Sequence, residues 1–235
     1  MAWKLLQRGA MAYGRSLTVL AITAVAFSFE ETAIVPAIPH IEKALHGSKS
    51  SATLLQSAFR IVASIAAPLI GKLGDRFGKP RLMIITLGIY FVAAIGAALS
   101  PRFWPLVLSR GAQGAGGAIF GLAFAIMRDA AGEEKLGTVI GVIVGGFGVG
   151  MASAFSLSGL LIASFGWHSL FWEGAIFSLV AAFLVRFGVP PSTDRHGTRT
   201  DVLGAVLLGC APSAIVIGLI SRRAPAGLRG PSSGC

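Results

Sequence analysis

The sequence predicts an all-α, polytopic membrane protein, and three observations carry that prediction. Of 235 residues, 54% are hydrophobic and only 13% are charged, against about 25% charged in soluble domains. Apolar windows close to the ~20 residues that a spanning helix needs recur along the whole chain. None of them shows the period-two alternation that a membrane β-barrel requires.

Seven windows can span, at roughly 17–39, 53–71, 82–99, 103–127, 137–162, 170–188 and 202–220. The first follows a basic start, "MAWKLLQRGAMAYGRS", as a signal peptide would. It is long, holds Glu30 and Glu31, and shows no small-residue cleavage site, so it reads as a retained helix. The second and third windows are joined by "GKLGDRFGKPR", residues 71–81, and the fourth contains "LSRGAQGAGGA", residues 108–118. The fifth carries glycines at 137, 141 and 145, then at 146 and 150. These four-residue steps make smooth faces for close helix crossing, which assigns Gly141 and Gly145 to packing. Before the sixth lies "FGWHSLFW", residues 165–172, where Trp167 and Trp172 fit interfacial anchoring. His168 reads there as an exposed turn residue, and Glu173 as either a rim residue or a functional one.

The domain reading is a six-helix bundle over 1–188, a cytoplasmic linker over 189–201, a seventh helix over 202–221 and a tail over 222–235. Pro212 would kink or break the seventh helix. The tail, "SRRAPAGLRGPSSGC", is expected to be a truncated or frame-shifted reading, with a short natural terminus as the alternative.

Loop charges set the orientation. With the N-terminus inside, the cytoplasmic segments hold twelve basic residues: Lys4, Arg8, Arg15, Lys72, Arg76, Lys79, Arg81, Arg128, Lys135, Arg186, Arg195 and Arg199. The outer segments hold six: Lys43, Lys49, Arg102, Arg222, Arg223 and Arg229. The expectation is a multi-pass protein of the cell (inner) membrane with a cytoplasmic N-terminus. The net charge of +10 is scattered between apolar windows, so it does not form a nucleic-acid face. Cys210 and Cys235 form no framework, and neither a metal, a cofactor nor an enzymatic activity is expected.

Three motifs carry chemistry. In "GKLGDRFGKPR", Gly71, Gly74 and Gly78 allow a tight turn and close helix approach. Asp75 can cap a helix or pair with a neighbouring arginine, and Lys72, Arg76, Lys79 and Arg81 can anchor the loop at headgroups. An ordinary positive-inside loop is the plainer reading. In the fourth window Arg110 lies deep, with Gln113 one turn on along the same face. Gly114, Gly116 and Gly117 permit close packing, and a snorkelling arginine is the alternative. In the first window, "FEETAIVPAIPHI", residues 29–41, puts two glutamates in a stretch from Leu17 to Pro39 with no other charge. At about 1.5 Å per residue, Glu30, Arg60 and Arg110 fall within about one turn of a common depth in a core about 30 Å thick. Charges there need a partner or a wet cavity. Burial favours a neutral carboxyl and a nearby guanidinium favours a charged one, so a group held between them can load and release a proton. A static ion pair is the alternative. Glu31 points about 100° away from Glu30.

These segments resemble the major facilitator superfamily. Gly71, Leu73, Gly74, Asp75, Arg76, Gly78 and Lys79 match its loop signature, G-x-L-[AG]-D-R-x-G-[RK]-[RK]; Pro80 departs and Arg81 follows. Arg110, Gln113, Gly114 and Gly116 match its fourth-helix pattern R-x-x-Q-G-x-G. Glu30, Thr32, Ile34, Ala37, Pro39 and Ile41 are similar to the first-helix motif of the fourteen-helix drug:proton antiporter branch, L-D-x-T-I-V-N-x-A-L-P-x-I. The branch's fifth-helix Gly-Pro falls on Ala154 and Phe155, which depart from it.

The resemblance covers about residues 13–221 and implies the N-terminal six-helix bundle of such a transporter plus one extra helix. It implies proton-coupled export of small hydrophobic or cationic molecules. Glu30 and Arg110 would be the proton-coupling pair, with Gln113, Glu31 and Arg60 along the substrate path. Gly71, Asp75, Arg76, Gly78 and Arg81 would form a conformational latch, and Gly114 and Gly117 packing positions. The implied partners are a small-molecule substrate, protons, membrane lipids and a C-terminal half or second copy, with no nucleic acid. The rival expectations are a non-transporting half and a membrane assembly protein.

Overall fold

The computed structural model describes residues 2–45, 49–131 and 135–190, with side chains over 13–45, 53–131 and 135–190. The linker from residue 191, the expected seventh helix and the tail lie outside the described residues. Within them the chain is helical throughout. The elements are α1 (Ala2–Ala44), α2 (Lys49–Phe77), α3 (Lys79–Ala98), α4 (Phe103–Gln113), a 3-10 turn (Gly114–Gly117), α5 (Ala118–Ala131), α6 (Leu136–Phe165) and α7 (His168–Gly188). Five helices are each long and apolar enough to cross a membrane. The fourth crossing is α4, the 3-10 turn and α5 in series, because Gly114 and Ala118 at the turn's edges keep right-handed helical dihedrals. Most helices run past their apolar windows at one end or both, α1 by 15 residues at its start, while α3 ends one residue short of its window.

The helices pair in a symmetrical pattern. The first crossing packs on the fifth (α1 on α6), the second on the fourth (α2 on α4 and its 3-10 turn), and the third on the sixth (α3 on α7). Exchanging crossings one to three with four to six maps this pattern onto itself, as expected of two three-helix repeats. In lipid, apolar burial does not drive helices together, so close approach at small residues does much of the work. A Cβ on Gly114 would run into Phe59 O and Val62 of α2, and one on Gly117 would come within 2.7 Å of Ala63 Cβ. On α6 the glycines that meet a neighbour are Gly146 and Gly150, against Ala21, Val25 and Ser28 of α1. Gly141 and Gly145, expected to pack, meet nothing among the described residues. They share the four-residue period but lie on the face of α6 turned away from α1.

This difference sets a prediction. Gly114→Leu should destabilise the bundle by about 1–3 kcal/mol, the usual range for overpacking. Gly141→Leu should leave its stability within about 0.5 kcal/mol. Denaturant unfolding of the purified protein in detergent measures both, and equal losses would contradict the packing described.

Two apolar cores result. One gathers Leu20, Phe27, Met83, Leu87, Ile119, Met127, Ile143 and Val185; the other gathers Phe29, Ile34, Ile41, Leu55, Leu106, Ala154, Trp167 and Phe171. Phe27 and Phe29 belong to different cores, so Glu30 lies where the two meet.

Candidate functional site

The junction of the cores is polar. Glu30 of α1 is 5% exposed, Arg110 of α4 1% and Gln113 0%. Tyr90 of α3 reaches into the same layer and donates its hydroxyl to Glu30 Oε2 at 3.0 Å. Arg110 lies within reach of the same phenol and close enough to Glu30 to act on its charge. Its Nη1 donates to Gln113 Oε1 at 2.7 Å, and its guanidinium lies 4.6 Å from the Phe59 ring centroid of α2. That is a cation–π seat inside the bundle. Arg110 therefore does not snorkel to an interface. Its Nε and Nη2 have no partner, and neither do Gln113 Nε2, Glu30 Oε1 and Ser158 Oγ. Nε and Nη2 form the edge with which a guanidinium grips a carboxylate in two parallel bonds.

Local structure explains the placement. Arg110 and Gln113 are three apart on α4, hence on one face, and the helix tightens to a 3-10 turn directly after Gln113. Gly116 in that turn leaves room for Tyr90 and Phe27, which a Cβ would strike. On the far side α7 approaches α1 at Gly174, where a Cβ would overlap the Glu30 carboxylate. The site thus depends on glycines at both walls.

The other expected residues separate from this cluster. Arg60, expected at the depth of Glu30 and Arg110, is exposed on α2, while its neighbour Phe59, 2% exposed, faces Arg110. Depth does not fix direction around a helix. Glu31 is half-buried in a different sector from Glu30. Trp167, expected at an interface, is 6% exposed within the second core, while Trp172 is 43% exposed. His168 is exposed, as expected, and stacks on Trp167 with ring centroids 3.6 Å apart.

The signature loop is tighter than its sequence suggested. Residues 71–77 continue α2, and Gly78 alone makes the turn, at φ 98°. Only glycine adopts that conformation readily. Gly71 lies in the helix with open space around it, and Gly74 faces Leu122 of α5. Asp75 makes no side-chain cap on α3 and pairs with Lys79 at 3.5 Å rather than with an arginine. Lys79, expected at headgroups, is 8% exposed and donates to Asp129 of α5 at 2.5 Å. The one-residue turn folds the start of α3 against α5 and takes Lys79 inward. Arg76 lies over Phe77, 5.3 Å from its ring centroid, and Arg81 is exposed.

Tyr90, Phe59 and Asp129 were not singled out from sequence. Tyr90 had a usable signal: a phenol within an apolar window must find a partner when buried.

Comparison with known proteins gives the family. The Major Facilitator Superfamily model matches residues 20–223. An uncharacterized MFS-type transporter, YvkA of Bacillus subtilis, is 30% identical over 210 residues, covering 88% of this chain and 47% of that protein. The uridine/deoxyuridine transporter of Lactococcus lactis is 26% identical, covering 85% of this chain and 42% of its own. The tetracenomycin C resistance and export protein of Streptomyces glaucescens is 28% identical, with 90% and 39% covered. The chain thus spans about half the length of the curated relatives it matches. Among solved structures, the human organic anion transporter MFSD10 superposes with a TM-score of 0.69 at 18% identity, covering 92% of this chain and 58% of that one. The proton:xylose symporter XylE gives 0.69 at 16% identity, with 91% and 54% covered. These two show a shared fold.

Proposed function

The chain belongs to the major facilitator superfamily, a family of small-molecule transporters, and from that premise we propose that it is the N-terminal bundle of a proton-coupled exporter of small hydrophobic or cationic molecules. The observation that carries this reading is an acid from α1 and a guanidinium from α4 buried in one polar layer, each left with unpartnered atoms. Glu30 is the proton carrier. Uncharged, it rests against Tyr90; charged, it takes the free Nε–Nη2 edge of Arg110. A cationic substrate reaching Glu30 favours its charged form, so the proton is released, and competes with Arg110 for the carboxylate. Export is supported by the relative whose name records tetracenomycin C export, and the nucleoside-transporting relative widens the substrate classes to test.

Alternating access in this family rocks one bundle against another around a central site. Because the chain covers 47% of the first curated relative above, we read the working unit as this bundle with a C-terminal half or a second copy. The test is pH-gradient-driven efflux of ethidium from right-side-out vesicles, comparing this chain alone with the chain completed by a C-terminal half. Efflux by the completed protein only is the expected result. Efflux by this chain alone would overturn the need for a separate C-terminal half, and none from either would remove the transport reading.

The orientation is part of the proposal. Cysteine labelling should find position 75 accessible from the cytoplasm and position 46 from outside; the reverse pattern contradicts the charge count.

A further inference from the structure

The bundle holds a second carboxyl that this reading leaves unused. Glu173 immediately precedes Gly174 on α7, is half-buried, and lies within hydrogen-bond reach of Glu30. Each carboxyl has a buried oxygen without a donor, Glu30 Oε1 and Glu173 Oε2. Two ionised carboxylates can only accept hydrogen bonds and repel each other. A single proton between them supplies the missing donor and removes one of the two charges. Gly174 enforces the meeting, because a Cβ there would displace the Glu30 carboxylate.

Glu173 also faces outward. It lines a cleft of about 510 Å³ with Phe165, His168, Ser169, Trp172, Ile176 and Phe177. Phe177 lines both that cleft and the small internal space beside Glu30 and Tyr90. Glu173 therefore has Glu30 on one side and an opening at the His168 end of α7 on the other.

We propose that Glu30 and Glu173 form a two-carboxyl proton site, and that Glu173 is the member through which the proton enters and leaves by way of this cleft. The proposal rests on the reading of Glu30 as the proton carrier and names its second acid and its route. The other groups facing Glu30 are Tyr90 from α3 and Arg110 from α4. From α2, Arg60 is turned outward, and on α5 Arg128 and Asp129 are exposed at its end. The α6 segment Leu136–Phe165 contains no titratable side chain. One proton passes between the two carboxyl oxygens and is exchanged with water at the cleft from Glu173, so no bond other than O–H is made or broken.

The test is infrared spectroscopy of the full chain reconstituted in lipid, following the carbonyl band of a protonated carboxyl against pH. Glu173→Gln and Glu30→Gln should each remove that band or move its midpoint by about one pH unit or more, the size at which two acids titrate as a pair. Gly174→Ala, which keeps both acids but separates them, should move the midpoint as well and guards against a misfolded Glu173 variant. Ile176→Trp, which fills the cleft, should slow deuterium exchange of the band. An unchanged midpoint in both Glu173→Gln and Gly174→Ala overturns the shared site, and unchanged exchange in Ile176→Trp overturns the route. Failure of the coupling reading shows elsewhere, as normal proton-coupled transport by Glu30→Gln, because the infrared readout does not require transport.

Discussion

Glu30→Gln is expected to abolish proton coupling while leaving the protein inserted, in a completed transporter whose flux can be measured. Glutamine keeps the size of the side chain and an oxygen to accept the Tyr90 hydroxyl, 3.0 Å from Glu30 Oε2. It removes the only titratable group of α1 in the polar layer. Insertion does not suffer, because a charge at mid-membrane disfavours insertion by about 2.5–3.5 kcal/mol on translocon scales. Gradient-driven ethidium efflux should be lost while ethidium still equilibrates down its own gradient. Glu31→Gln should have the smaller effect, since Glu31 is half-buried in another sector. If Glu31→Gln kills coupling and Glu30→Gln transports normally, the first-helix register is wrong. If neither variant changes coupling, both glutamates are structural.

Arg110→Ala should be the most destabilising single change at the site, at about 3–5 kcal/mol, the range for removing one partner of a buried charged pair. The substitution empties the seat under Phe59, leaves Gln113 Oε1 without its donor at 2.7 Å, and strips Glu30 of its neighbouring cation. Adding Glu30→Gln should recover part of the loss, because the uncompensated carboxylate is then gone. The non-additivity should fall at about 0.5–3 kcal/mol, as for other contacting pairs. Unfolding of the two single variants and the double variant measures it. Strict additivity would mean that Glu30 and Arg110 do not sense each other.

What the sequence made legible follows from how local the signal is. A charge in an apolar stretch is visible in one dimension, which is why Glu30 and Arg110 stood out, and both lie buried in the polar layer. Partners from other helices are not visible this way. Tyr90 and Glu173 lie 60 and 143 positions from Glu30, and only the crossings at Gly116 and Gly174 bring them in. Depth counting likewise left the direction of Arg60 open, since rise along a helix says nothing about which way a side chain points. The glycines of α6 show the limit of periodicity: both four-residue series were readable, but only the contact with α1 distinguishes Gly146 and Gly150 from Gly141 and Gly145. The all-helical fold itself was legible from hydropathy, because in lipid backbone groups must be satisfied within each span. The 3-10 turn was not, although "GAGG" marked the place.

Glu30 gives up its proton when a cationic substrate competes with Arg110 for its carboxylate. The most direct measurement of this is proton release by the purified, completed protein in weakly buffered detergent solution on addition of ethidium, read with a pH indicator. The account predicts a stoichiometric pH change in the wild type that is absent in Glu30→Gln and persists in Glu31→Gln. A pH change of the same size in Glu30→Gln, or none in a wild type that binds ethidium, would contradict it.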